Sequence, residues 1–417
     1  MECSILLTSG NSSAMAFISA FPTFAPTPWR NGVEVARRLF LAAEPYPIAR
    51  LRPLQSNAIA AARVFCILGI IYVHAWTGRT TLFLIQNSDT AQGLFRWLLV
   101  ETIGRSSVPL LGVISGWLVA ESALRRNYRQ FMTGKARTIL APMLLWNALS
   151  VLFVCGAAWL GWLSAPMPDD IGWVIDEILS YASFNVINVQ NTFLRDLFMC
   201  MAVAPLLVRL QSRWLAILGG AVAIWIVAGL WCPLFLRPQI PLFFLLGILA
   251  RRHGIAEQVE AMPFSYAALP FAVMAPVKLA ISIWGFEFTQ DNMELVAAAD
   301  TVTRVAAALL AWRTAIAIAR HSFMALFARI EPYTFFLFCS HMILIWLGGQ
   351  TLGRFSGPLG APSYPLFLLI QPALALIAAI ALGQLLLQTA PGVAKLLSGG
   401  RLRAIPLGRP SLAAASA

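Results

Sequence analysis

Two ionisable residues in one apolar run pose the chemical question. Asn57 to Trp76 reads NAIAAARVFCILGIIYVHAW, with Arg63 and His74 inside it. Eleven residues of α-helix make three turns plus about 20°, so both side chains leave one face, about 16 Å apart along the axis. Ile67 and Ile70 lie between them. A run of roughly 20 apolar residues can cross a bilayer, and a charged group at that depth usually faces protein or a water-filled cavity. Imidazole is the usual general base near neutral pH. A second intramembrane histidine is His341, in FFLFCSHMILIW, whereas His253 and His321 sit in basic loops. Each of these residues also has a structural reading. Arg63 then snorkels to a headgroup, and neighbouring helices satisfy His74 and His341.

Other residues could serve the same chemistry. Arg105 is a second base at membrane depth, followed by Pro109 and Gly112, which permit a bend or a close helix approach. Ser115-Gly116 reads on its own as a small-residue packing notch. The basic segment NYRQFMTGKARTILAPMLLW carries Lys135 and Arg137. These either orient the chain in the membrane or provide charge-assisted donors for a phosphorylated cytoplasmic ligand. Arg195 and Asp196 can pair with each other or with nearby charges. Asn185, Asn188, Gln190 and Asn191 form a polar cluster able to hydrogen-bond sugar hydroxyls, or equally a turn-rich loop. Lys278, Asp300, Arg304 and Arg313 add charges whose pairing the sequence does not give.

The composition says what must position them. Of 417 residues, 59% are hydrophobic and 12% charged, about half the charged share of a soluble protein. The net charge of +12 is dispersed in short clusters between apolar runs, a pattern that orients a membrane protein rather than painting a nucleic-acid surface. Six scattered cysteines without CxxC or metal-ligand spacing indicate small core hydrophobes rather than a disulfide framework or a metal site.

The expected fold class is all-α, a polytopic membrane helical bundle of about ten transmembrane helices. They fall near 57–76, 94–121, 138–163, 192–209, 214–233, 238–250, 264–285, 295–318, 331–350 and 363–388. Basic loops alternate with acidic or neutral ones, which places both termini in the cytoplasm. Residues 1–56 are expected as a poorly ordered cytoplasmic tail, with an interfacial helix around Val33 to Ala43. Its apolar stretch Ala14 to Phe24 is too short to span and has no positive region before it, so a signal peptide is not expected. Residues 57–390 form the membrane domain and 391–417 a cytoplasmic C-terminal tail. No inverted repeat of the kind many transporters carry is evident.

In chain order, these segments resemble the acyltransferase 3 family of integral membrane acyltransferases, which includes glycan O-acyltransferases. Arg63, ten residues, then His74 resembles its first-helix signature, and VPLLGVISGWL its proline-then-Ser-Gly segment. FMTGKARTILAPMLLW resembles its basic loop, NTFLRDLFMCMAVAPLL and IPLFFLLGILARR two further spans, and FFLFCSHMIL its late Ser-His span. The resemblance covers roughly residues 57 to 350. Ala60 stands where the family often has an acid, Leu111-Gly112 where it has an aromatic pair, and Lys135 is the second basic residue of the loop. The first two departures bear on subfamily and substrate.

The resemblance implies transfer of an acyl group, commonly acetyl from acetyl-CoA, to a hydroxyl of a cell-surface or lipid-linked glycan. His74 would be the catalytic base. Arg63 and Arg105 would bind donor phosphate or polarise the acyl carbonyl. Lys135 and Arg137 would hold CoA, with Ser115 and Gly116 shaping the site. His341, Arg195 and Asn191 are candidates on the acceptor side. The acyl-CoA is a donor substrate; no permanently bound cofactor, metal or nucleic acid is expected. The location implied is the bacterial inner membrane. The competing readings are a transporter or flippase for a glycan-related or anionic solute, and a non-catalytic scaffold.

Overall fold

The computed structural model describes residues 51–181, 183–232, 234–284 and 291–404. The expected helix around Val33 to Ala43, most of the acidic 286–294 loop and the end of the C-terminal tail lie outside the described residues. The regular elements are helices, with no strand among the described residues. In chain order they are α1 Pro53–His74, α2 Ala91–Arg125, α3 Tyr128–Trp159, α4 Ile171–Leu179, α5 Thr192–Leu207 and α6 Ser212–Val227. They continue with α7 Gln239–Arg252, α8 Phe264–Trp284, α9 Met293–Ala319, α10 Met324–Ser356, α11 Tyr364–Thr389 and α12 Pro391–Leu397. Short helices at Thr81–Gln86 and Ile255–Ala261 complete the set.

Among the described residues, seven helices are long and apolar enough to cross a membrane: α1, α2, α3, α8 (over Phe264–Ile281), α9, α10 and α11. Three of the ten expected spans instead correspond to α5, α6 and α7, of 16, 16 and 14 residues. At 1.5 Å per residue these reach about 21–24 Å, short of the roughly 30 Å hydrocarbon core. Local chemistry explains the shortening. α6 gives way at Gly229, whose φ is 62°, and α7 begins only after Pro238, because proline is favoured at a helix start and not inside one.

The helix carrying Arg63 and His74 occupies the middle of the bundle, packed by α2, α9, α10 and α11. Small side chains make this possible. A Cβ at Gly69 of α1 would lie 2.7 Å from the Ile103 carbonyl of α2, so the two backbones can cross this closely only at glycine. α2 is π-helical at that crossing, over Leu98–Arg105. A wide turn of this kind often marks a functional site, and here it ends on Arg105. Further π segments lie at Ala136–Leu140 and Val151–Cys155 in α3 and at Ile345–Gly349 in α10.

Residues 391–404, expected as part of a tail, pack against the bundle. Trp146 Nε1 donates to the Leu397 carbonyl (3.0 Å), Arg401 Nη1 to that of Thr138 (2.9 Å), and the Tyr333 hydroxyl to that of Arg403 (2.6 Å). This fold-back adds a basic residue to the site described next.

Candidate active site

α1 delivers Arg63 and His74 to two different environments. At Arg63 the helix face opens into a cavity of about 200 Å³, lined also by Ser115, Lys135, Glu331 and Arg401. Arg63 Nη1 donates to Glu331 Oε1 at 2.8 Å. Lys135 lies over the Phe131 ring at 5.3 Å, and Arg401 over the Phe335 ring at 4.0 Å. Three cations therefore share one carboxylate, which leaves a net positive cavity suited to an anion. Its deeper wall is apolar, built from Ile67, Leu194 and Phe338.

At the other end of α1, His74 faces His341, with ring centroids 5.5 Å apart and planes tilted by 43°. The chain just beyond His74 is fixed by Gln371 of α11, whose Oε1 accepts from Trp76 N (2.8 Å) and whose Nε2 donates to Trp76 O (3.1 Å). His341 is fully buried. Its Nδ1 sits 2.8 Å from the Phe338 carbonyl and 3.3 Å from that of Leu337. Two acceptors there assign the proton to Nδ1. Nε2 is then a lone-pair nitrogen, and it has no partner among the described residues.

A lattice of buried amides reaches the Phe338 carbonyl that His341 Nδ1 also meets. Gln190 Nε2 approaches the Phe338 and Cys339 carbonyls at 3.4 Å and also donates to Asn188 Oδ1. Asn188 and Asn191 both donate to Asn147 Oδ1, at 3.0 and 2.8 Å. Gln190 Oε1 and Asn191 Oδ1 are enclosed and unmatched. Buried acceptors without donors are costly, so the cluster presents lone pairs where a hydroxyl group would satisfy them. The loop carrying it is held by Glu177, which accepts from the Val186 and Ile187 amides. Burial pushes the Glu177 carboxyl above the usual carboxylate range, outweighing those bonds.

The other predicted residues separate into those near the site and those elsewhere. Arg237 Nη2 approaches the Val189 carbonyl of the amide loop at 3.4 Å, and Arg105 closes the π segment of α2. Arg105 is also the end of a charged chain. Its Nε pairs with Glu101 (3.2 Å), Lys278 bridges Glu101 and Asp300 (2.6 Å each), and Asp300 pairs with Arg304 (2.5 Å). Ser115 lines the cavity, although its hydroxyl donates back to the Leu111 carbonyl (2.7 Å). Gly116 faces α7, where a Cβ would collide with the Phe244 carbonyl. Arg137 is exposed and outside the cavity lining. Arg195 clamps a loop, bonding Asp196 (2.7 Å), the Leu234 carbonyl (2.8 Å) and the Tyr181 carbonyl (3.4 Å).

Sequence reasoning passed over the site roles of Glu331, Arg401 and Arg237. Glu331 had a visible signal, since it precedes His341 by ten residues in the same apolar helix. Arg401 had none, because only the fold-back of α12 brings it to the cavity. Among the described residues, no group of three His, Cys, Asp or Glu side chains could hold a metal ion.

This geometry, a basic cavity and a histidine pair on one central membrane helix, accompanies a family assignment. Residues 56–387 match the acyltransferase domain of the acyltransferase 3 family, and the chain belongs to that family as a multi-pass membrane acyltransferase. It is similar to the succinoglycan biosynthesis protein ExoH of Rhizobium meliloti (strain 1021), at 29% identity over 357 residues, which cover 83% of this chain and 92% of the relative. No solved structure matches it.

Proposed function

We propose that the protein moves an acyl group, acetyl from acetyl-CoA first among candidates, onto a hydroxyl of a cell-surface or lipid-linked glycan. The observation that carries this reading is that one face of α1 joins the cationic cavity at Arg63 to the paired rings of His74 and His341. The relative's named role in succinoglycan biosynthesis supports a saccharide acceptor. In this reading ten helices cross a bacterial cytoplasmic membrane, with α5 to α7 among them and both termini on the cytoplasmic side.

The donor's phosphates would meet Arg63, Lys135 and Arg401, with Arg137 on the approach, through charge-assisted bonds. Its thioester would extend along Ile67 toward His74. The acceptor hydroxyl would lie between His74 and the unmatched lone pairs of His341, Gln190 and Asn191. His74 takes the hydroxyl proton as the oxygen attacks the thioester carbonyl, and Arg105 stabilises the oxyanion. The C–S bond then breaks, and the imidazolium returns its proton to the departing thiolate. The products are the ester and free CoA. A positioned base contributes about 10²–10⁴-fold.

The test compares acetyl-CoA turnover by purified wild type and His74→Ala, matched in thermal unfolding, with CoA binding measured in parallel. Loss of turnover with binding retained is expected. Absence of both binding and turnover in wild type overturns the acetyl-CoA donor.

A further inference from the structure

α1 ends at His74, and the last carbonyls of a helix have no partner within it. The position of this imidazole therefore depends on what holds the chain immediately beyond. Two residues on stands Trp76, half-buried. On its α11 side, Tyr364, Phe367 and Gln371 share one helix face, at i, i+3 and i+7. A carboxamide buried in an apolar helix needs partners, and Gln371, 6% exposed, directs both its oxygen and its nitrogen to the Trp76 main chain. The Tyr364 hydroxyl donates to the same Trp76 carbonyl at 3.3 Å.

On the α10 side the indole lies directly against backbone. A Cβ at Gly349 would come 2.8 Å from the Trp76 Cβ, and one at Gly353 would strike the six-membered ring. These glycines are one turn apart, and Gly349 closes the π segment Ile345–Gly349 that begins four residues after His341. The Phe367 ring meets the indole edge-on, with centroids 6.0 Å apart. Trp76 is thus tied through its main chain to α11 and through its ring to the helix of His341. Close-packed interiors transmit displacement, so a shift of Trp76 would move His74 relative to His341. A misplacement of about 1 Å at reacting groups can cost about 10²-fold in rate.

We propose that Trp76 and Gln371 are positioning residues that hold His74 against His341 for acyl transfer, an inference that rests on His74 acting as the base. Gln371→Met keeps the side chain's length and removes both bonds, whereas Gly353→Ala drives a methyl into the indole. Full-length wild type and both variants are treated with diethylpyrocarbonate, and modification of each histidine is followed by peptide mass spectrometry. Turnover of acetyl-CoA is measured in parallel. In both variants His74 is expected to react at least about fivefold faster, the scale of one or two neutral hydrogen bonds. The exposed His253 and His321 should react as in wild type. The kcat should fall about tenfold with the KM for acetyl-CoA unchanged. An unchanged rate at His74 overturns the proposal, as does faster labelling with unaltered kcat, or a raised KM with intact kcat. The same acceleration in Gly116→Ala, whose methyl strikes α7 instead, overturns it too, since general loosening would give that result. If wild type turns over no acetyl-CoA, the donor reading fails separately, and the labelling still decides whether Trp76 and Gln371 fix His74.

Discussion

At Arg63, the functional face of α1 runs into a cavity walled by four ionised side chains, those of Arg63, Lys135, Glu331 and Arg401. Eleven residues on, at His74, it meets a second imidazole and a lattice of buried amides. The first end is half-open: Arg63 is 40% exposed and Glu331 28%. Ion pairs of that exposure contribute little, about 0–1 kcal/mol, so this end can release its carboxylate and take another anion. At the second end His341 and the amides are buried, and unsatisfied dipoles there are strict about what they accept. The comparison teaches that one helix can divide affinity from chemistry, and substitutions should divide in the same way.

The largest effect is expected at the histidine end. His341→Ala removes the buried imidazole beside His74 and should lower kcat about 100-fold, the low end of base-related effects, with the KM for acyl-CoA unchanged. Steady-state kinetics with varied donor decides this. A raised KM with intact kcat would place His341 in donor binding and break the comparison.

Gly116→Ala sharpens which α2 residues belong to the cationic end. Its added methyl would strike the Phe244 carbonyl, at a crossing where Gly247 of α7 also meets the α2 backbone. Overpacking of this kind costs about 2 kcal/mol or more. Thermal unfolding should therefore fall while the KM for acyl-CoA holds. A KM change at unaltered stability would return Gly116 to the donor site.

Lys135→Ala and Arg401→Ala test the cationic end itself. Each should raise the KM for acyl-CoA about tenfold, because bonds to charged groups contribute about 1.5–3 kcal/mol and 1.4 kcal/mol is a factor of ten. Their kcat should stay near that of wild type. If kcat falls instead, the two ends are not separable.

How much of this was legible in the sequence follows from the range of each interaction. Helical periodicity placed Arg63 and His74 on one face, because 3.6 residues per turn is a local property. Apolar runs marked the seven spanning-length helices found among the described residues, while Gly229 and Pro238 bound α6 and α7 at points a hydropathy window smooths over. The asparagine cluster was visible as composition, but its role depends on Asn147, some forty residues earlier, meeting Asn188 and Asn191. Arg401 reaches the cavity only through tertiary packing, which no spacing encodes. The charges Lys278, Asp300 and Arg304 were visible as well. Their link to Arg105 needed Glu101, in the π segment of α2, to meet Lys278 of α8.

The smallest effect asks whether the histidine end needs any fixed charge. Glu177 holds the loop that presents Asn185 to Asn191, and burial raises its carboxyl above the usual range. A carboxyl whose folded pKa exceeds its unfolded value destabilises the fold above that pKa, and the cost disappears as pH falls below the unfolded value. Wild type should therefore gain stability relative to Glu177→Gln as pH is lowered from 7 toward 5. At pH 7 the two should differ by about 1 kcal/mol or less, the scale of one neutral hydrogen bond. Thermal unfolding of both proteins across that range measures it. A loss of about 3–5 kcal/mol in Glu177→Gln at pH 7, the signature of a broken buried ion pair, would mean that the histidine end rests on charge after all. The division between the two ends of α1 would then be one of exposure alone.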